Sequence, residues 1–187
     1  MESEKNFTDW VELMTSKKLW NAYPWDVNWY WDADMINILG YAYDGTIVIY
    51  NILRKMVPEA TTLEEHLHFT VLFNDYIANK CQKWDKYYII LDTQGFGYAN
   101  IDMERFKTNA PLSGRLVPDI LKKAFVVRCG WLIKTIYASA KGFIHERTRP
   151  KISVMGDDNV ELRKVLSEVM DPKLIPKELG GDGKSFE

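Results

Sequence analysis

The chain has 187 residues, of which 47% are apolar and 27% charged, the proportions of one globular domain with its own core. Its 24 Lys and Arg against 26 Asp and Glu give a net charge of −2, which excludes the strongly basic surface typical of nucleic-acid binding. The sequence contains no run of roughly 20 apolar residues, the length of a transmembrane helix, so we expect any membrane contact to be peripheral.

The two cysteines indicate the compartment. Cys81 and Cys129 lie far apart in apolar sequence and do not make a disulfide framework, which favours a reducing environment. The first residues, Met1–Lys5, lack the basic flank and apolar run of a signal peptide. We therefore expect a cytoplasmic protein.

The N-terminal segment is rich in tryptophan. We predict a short helix over Asp9–Leu19, followed by an irregular stretch that folds back onto the rest of the chain. The rings could form a membrane-docking patch or a lid over a sheet edge, because aromatic side chains suit both places. On this basis we divide the chain into an N-terminal segment, residues 1–38, and a domain, residues 39–187. The tryptophans of the segment are Trp10, Trp20, Trp25, Trp29 and Trp31.

Beyond this segment, strands and helices alternate. A tight turn at Tyr43–Thr46 leads into the first of four runs of β-branched and apolar residues, which predict strands. Since each run is apolar on both faces and helices separate them, the pattern predicts a mainly parallel sheet covered by helices. The four predicted strands are Thr46–Leu53, Lys86–Leu91, Ala124–Arg128 and Lys151–Met155.

Four helical regions are predicted around these strands. Overlapping capping boxes at Thr61 and Thr62 begin a helix that extends to about Lys80. A second helical region, from Asp102 to about Lys123, is broken by Pro and Gly. The third region covers Gly130–Ile144, and Asp158 caps the last helix, whose apolar residues keep helical spacing on one face: Leu162, Val165, Leu166 and Val169.

No catalytic constellation emerges from the sequence. His66 and His68 are two residues apart and point to different faces of a helix, so they cannot chelate one ion together. Gly95-Phe96-Gly97 lacks the third glycine of a dinucleotide fingerprint. Gly183-Lys184-Ser185 matches the end of a phosphate-loop motif, but the glycine that the motif requires earlier is replaced by Glu178. We therefore expect no catalytic residues, no metal site and no enzyme activity.

Four motifs occur in a characteristic order. An apolar strand ends in Asp-x-x-Gly at Ile89–Gly95, and a charged turn leads to a Lys-Ile strand start within Gly142–Ile152. Met155–Asp158 opens the final helix, and Leu174–Gly181 closes with Leu-Ile-Pro-Lys-Glu-Leu-Gly-Gly. Over about residues 40–181 this arrangement resembles the CRAL-TRIO lipid-binding domain family.

The resemblance implies an α/β fold, a mainly parallel mixed sheet floored by helices, with a mobile helix that closes an apolar pocket around one lipid. It implies no cofactor other than the bound lipid. The partners would be a phospholipid or another hydrophobic molecule and a transient membrane surface, with a protein as a further candidate partner; the oligomeric state stays open. The matching helix begins at Trp131, and its pattern fits a core helix as well as a gate. The expected pocket and gate residues are Leu132, Ile133, Ile136, Tyr137, Ala140, Phe143 and Ile144.

The resemblance also suggests where a lipid headgroup would bind. In members that carry phosphoinositides, an acidic residue and the Lys of the Lys-Ile strand reach the inositol; the matching residues are Asp119 and Lys151. Tyr87 matches a hydroxyl-bearing position that serves phosphatidylcholine, whereas Ile89, at the other such position, has no donor. The family's Asn-x-Pro after the third strand is replaced by Arg128-Cys129-Gly130-Trp131, so we expect a different hinge.

Three functions stay open from the sequence. The first is binding or transfer of one lipid, for example a phosphoinositide. The second is a protein-interaction module of the same fold, for example for a small GTPase or a scaffold, with a reduced or lost pocket. The third is an unrecognised enzyme, which would need a buried acid–base pair in a cleft. A lining of small or branched side chains favours the first function, while inward-turned rings of Phe125, Trp131 and Tyr137 favour the second.

Overall fold

A computed structural model describes residues 34–80, 86–108 and 120–186. Residues 1–33 of the tryptophan-rich segment, including the predicted helix Asp9–Leu19, lie outside the described residues. No helix among the described residues combines the length and the apolar character needed to cross a bilayer.

The centre of the fold is a five-stranded sheet in the order β1-β2-β3-β4-β5. β1 runs antiparallel to β2, and β2 to β5 run parallel to one another. Parallel neighbours need crossover connections, and helices fill them here. The prediction of a mainly parallel, mixed sheet is therefore confirmed. The strands are Ile36–Tyr41 (β1), Ile47–Ile52 (β2), Tyr87–Asp92 (β3), Leu121–Val127 (β4) and Ile152–Val154 (β5).

The edge strand β1 was not predicted as a strand. Its register against β2 shifts between Ile38 and Gly40, and Gly40 has a φ of 136°, so the strand lacks the regular alternation that identifies strands in a sequence. The turn between β1 and β2 agrees with its prediction. The Asp44 carboxylate accepts a hydrogen bond from the Thr46 N–H at 2.9 Å, and Gly45 has a φ of 80°.

Among the described residues, three longer helices pack beside the sheet: Leu63–Lys80 (α1), Trp131–Ala140 (α2) and Asn159–Ser167 (α3). The capping box before α1 forms as predicted. The Glu65 N–H donates to Thr62 Oγ1 at 3.2 Å, and the Thr62 N–H donates to Glu65 Oε2 at 2.6 Å. The cap of α3 is also confirmed, because Asp158 Oδ1 accepts from the Val160 N–H at 2.9 Å.

Two helix boundaries differ from the prediction. The region expected to be helical up to Lys123 is helical over residues 103–108, but its last residues belong to β4, where Lys122 contacts Asp44 of the β1–β2 turn. The gate helix was expected to reach Ile144. It ends at Ala140 and continues as the short 3₁₀ turn Lys141–Phe143, which contains the poor helix former Gly142.

The two faces of the sheet are covered differently. One face packs against α3 and the C-terminal segment, and forms the main core around fully buried Tyr50, Ile90 and Phe125. The other face packs against α1 and α2. The main core comprises Ala42, Val48, Tyr50, Ile52, Tyr88, Ile90, Phe125, Val127, Leu162, Leu166, Met170, Ile175 and Leu179.

Candidate functional site

The face of the sheet toward α1 and α2 carries two complete rows of side chains across all five strands. Paired residues on neighbouring strands point to the same side of a sheet, so the strand register defines these rows. We call these two rows the α1/α2 face. One row is Ile38, Ile49, Ile89, Ala124 and Ile152, and the other is Ile36, Asn51, Leu91, Val126 and Val154.

Two separate apolar clusters hold the helices on this face. Phe69 of α1 is buried against the β1 and β2 side of the sheet, with Ile36 and Ile49. Ile133 of α2 is buried against the β4 side, with Val126. The middle of the face lies between the two helices.

The central strand β3 shows that this middle part is open. β3 is flanked by strands on both sides, and central strands of parallel sheets are normally covered on both faces. Its burial alternates instead. Tyr88 and Ile90 on the α3 side are buried, whereas Ile89 and Leu91 on the α1/α2 face are only partly buried. Among the described residues, the α1/α2 face therefore presents branched aliphatic side chains that are only partly covered.

The predicted gate residues lie along α2 and the turn after it. Only Ile133 and Ala140 are buried, and Leu132, Ile136, Tyr137 and Ile144 are partly exposed. The side chain of Phe143 lies outside the described side chains. Apolar residues that stay partly exposed on a helix over an apolar face have unused capacity for apolar contact.

Of the predicted headgroup residues, Tyr87 and Lys151 can be located. Tyr87 begins β3 on the same side as Ile47 and Ile89, and burial raises its pKa to about 12. Lys151 ends the 3₁₀ turn that precedes β5 and is partly exposed. Both lie at the edge of the sheet where the parallel strands begin. Because one strand, β4, separates β3 from β5, the backbones of the two residues are about 10 Å apart. Asp119 lies outside the described residues.

One polar side chain on the α1/α2 face was missed by the sequence reasoning. Asn51 is the single polar residue in the two rows, and its Oδ1 is shielded from solvent without a hydrogen-bond partner among the described residues. The sequence does contain a signal for this residue, because Asn51 interrupts the apolar run of β2 and Asn is unfavourable in strands.

A buried ionic cluster lies on the other side of the sheet, at the base of α2. The guanidinium of Arg128 pairs with the Asp92 carboxylate, and the Tyr50 hydroxyl donates to the same carboxylate at 2.5 Å. Burial and the contact with Asp92 raise the pKa of Tyr50 far above its usual value, so the hydroxyl keeps its proton. Arg128 lies three residues before Trp131, the first residue of α2.

Comparison with known proteins places these features in a family context. The family model described as CRAL/TRIO domain matches residues 34–181. A phosphatidylinositol/phosphatidylcholine transfer protein of Arabidopsis thaliana, SFH9, is 27% identical over 157 residues, which cover 75% of this chain and 27% of SFH9. A second one from the same plant, SFH12, is 24% identical over 135 residues, 66% of this chain and 24% of SFH12.

A solved structure shows the same fold. The crystal structure of Sfh5 superposes with a TM-score of 0.67 at 16% identity, and the match covers 83% of this chain and 60% of Sfh5. The chain spans about a quarter of the length of the two curated plant relatives.

Proposed function

The chain belongs to the CRAL/TRIO domain family, and from this premise we propose that it is a non-catalytic lipid-binding protein, which holds one hydrophobic lipid between the α1/α2 face and helix α2. The observation that carries the proposal is the open middle of this face. Ile89 and Leu91 lie on the central strand of the sheet and are nevertheless only partly buried.

The side chains of the α1/α2 face favour a bound lipid over a pocket filled by the protein's own aromatic rings. Apart from Asn51 the two rows contain only Ile, Leu, Val and Ala, which are the small and branched side chains expected around an acyl chain. Of the large rings that would fill a pocket in an interaction module, Phe125 is fully buried in the main core on the opposite face, and Trp131 is 70% exposed. Neither ring occupies the space over Ile89.

The physical basis of exchange with a membrane is a balance of burial. Apolar area removed from water is stabilised by roughly 25 cal/mol per Å² in a bilayer and in a protein pocket alike. Transfer between the two is therefore nearly neutral, and a modest movement of α2 would load or release the lipid. The partly exposed Ile136 and Tyr137 would contact the acyl chain with the helix closed and the bilayer with it open.

A polar headgroup needs donors at the mouth of the pocket. We place it at the edge where the parallel strands begin, near Tyr87 and Lys151, and the family resemblance adds Asp119 as the acidic residue. A cation at Lys151 suits a phosphate, which favours an anionic phospholipid such as a phosphoinositide. The plant relatives named as phosphatidylinositol/phosphatidylcholine transfer proteins support a phospholipid as the ligand. We also propose that the protein acts in the cytoplasm with transient membrane contact; the free thiol of Cys129 is compatible with a reducing compartment.

Native mass spectrometry, with lipid extraction, of protein purified from a lipid-containing host tests the proposal. We expect one co-purifying lipid per chain. A mass equal to that of the bare chain, unchanged after incubation with vesicles of mixed phospholipids, would contradict lipid binding and favour the protein-interaction module.

A further inference from the structure

Asn51 is the one polar residue in an otherwise aliphatic surface. In its own row it lies between Ile36 of β1 and Leu91 of β3, and Ile49 precedes it on the same side of β2. The row continues through Val126 and Val154. An asparagine in this place cannot contribute to apolar packing as the other members do.

Its amide oxygen is also unsatisfied. Oδ1 is shielded from solvent and has no hydrogen-bond partner within the described ranges. A buried acceptor without a donor is destabilising, and buried polar groups in folded proteins nearly always have partners. Asn37, on the neighbouring strand, shows the usual arrangement: its side chain donates to the Asp34 carbonyl at 2.8 Å.

Local structure does not account for Asn51. It neither caps a helix nor forms a turn, since it lies within β2, and Asn is unfavourable in strands. The only face to which it belongs is the one proposed to contact the lipid. A ligand that brought a hydrogen-bond donor into this face would satisfy Oδ1 and recover the cost of its burial.

Resting on the proposed function, we propose that Asn51 is a specificity-determining residue, which accepts a hydrogen bond from a hydroxyl group of the bound lipid. Asn51 is the penultimate residue of β2, where the parallel strands end, whereas Tyr87 begins β3 and Lys151 precedes β5. The Asn51 contact is therefore separate from the phosphate-binding edge. It selects a lipid with a free hydroxyl at this end of the pocket.

A matched pair of lipids isolates this contact. 1,2-Dioleoylglycerol and its 3-O-methyl ether differ only in the hydroxyl hydrogen and one methyl group. The protein is incubated with phosphatidylcholine vesicles that contain equal amounts of both, and native mass spectrometry gives the ratio of bound species. The wild-type protein should favour the alcohol about tenfold, the effect of leaving one buried acceptor unpaired.

Three variants complete the test. Asn51→Val should reduce the ratio to about one, while its unliganded form melts no lower than wild type because an unsatisfied buried atom is gone. Asn51→Thr keeps an oxygen acceptor in a strand-favouring side chain and should retain part of the preference. Asn37→Leu, on the opposite side of the hairpin, should leave the ratio unchanged.

The outcomes separate this inference from the proposed function. Uptake of lipid with equal amounts of alcohol and ether in the wild-type protein overturns the role of Asn51 and leaves lipid binding intact. An undiminished preference in Asn51→Val overturns it as well. A wild-type protein that takes up phospholipid but neither probe overturns the role of Asn51 alone. If it takes up neither probe and also no lipid from vesicles of mixed phospholipids, the proposed function itself is wrong and this inference falls with it.

Discussion

Arg128 and Asp92 form a two-point ion pair inside the protein. Nε of Arg128 lies 2.9 Å from Oδ1 of Asp92, and Nη2 lies 2.5 Å from Oδ2. Asp92 is fully buried and Arg128 is 9% exposed. Arg128 also has a φ of 55°, a left-handed backbone conformation that Gly, Asn and Asp adopt more readily than Arg.

Removal of the guanidinium should destabilise the fold strongly. Arg128→Ala leaves the Asp92 carboxylate buried without its cation, so we expect the free energy of unfolding in urea to fall by about 3–5 kcal/mol. Adding Asp92→Asn to this variant should recover part of the loss, because the uncompensated charge is then gone. A loss below about 1 kcal/mol in Arg128→Ala would show that the pair contributes little.

His66 should make stability depend on pH. Burial and the nearby positive charge of Arg105 lower its pKa to about 4. The unfolded chain takes up this proton near pH 6.5, but the folded chain does so only near pH 4. Stability should therefore fall by about 1–2 kcal/mol as the pH drops from about 6.5 to 4, and this contribution should level off below pH 4. Solvent screens part of the effect because His66 is partly exposed.

Urea unfolding at a series of pH values tests the His66 prediction. His66→Gln should remove this part of the pH dependence. His145→Gln is the control, since His145 is exposed, and it should behave like wild type. Identical pH profiles for His66→Gln and wild type would show that His66 does not carry the effect.

Local signals in the sequence predicted local structure well. The caps at Thr62 and Asp158 satisfy N–H groups within three residues of themselves, so nearby sequence contains all the information they need. The Asp92–Gly95 turn is local in the same way: Asp92 Oδ1 accepts from the Gln94 N–H at 3.0 Å, and Gly95 has a φ of 73°.

Features that depend on strand pairing could not be predicted. Arg128 and Asp92 are 36 residues apart and meet only because β4 lies parallel to β3, with Val127 opposite Asp92. The predicted helical region extended to Lys123, but Lys122 lies in β4 and donates to Asp44 across the sheet at 2.5 Å. The isolation of Asn51 likewise appears only when the register assigns its neighbours on β1 and β3.

Gly181, the last residue of the Leu174–Gly181 motif, should be essential for packing. A Cβ on Gly181 would lie 2.1 Å from the Ile175 carbonyl oxygen, which no side-chain movement can relieve. We expect Gly181→Ala to lower the free energy of unfolding by about 2 kcal/mol or more. Gly156→Ala is the matched control, because a Cβ there meets nothing within 4 Å. Equal melting temperatures for the two variants would contradict the close approach.

Lys151 should discriminate between lipid charges. If its ammonium contacts a phosphoinositide headgroup, Lys151→Ala should weaken binding of phosphatidylinositol by about 1–3 kcal/mol and binding of phosphatidylcholine much less. Quantifying both lipids extracted from equimolar vesicles gives the ratio. Lys134→Ala, on the exposed side of α2, is the control for loss of a positive charge. Equal losses for the two lipids would indicate a general effect on stability.

The gate assignment of α2 depends on Ile136. This side chain is partly exposed on the helix over the α1/α2 face, and a carboxylate there would have to lose its water to contact an acyl chain or a bilayer. We therefore expect Ile136→Asp to abolish extraction of fluorescent phosphatidylinositol from vesicles, with a near-ultraviolet circular dichroism spectrum like that of wild type. Thr135→Asp places the same charge one residue away on the exposed side and should extract lipid normally. Wild-type extraction by Ile136→Asp would exclude α2 as the gate, since the charge would then meet neither lipid nor membrane.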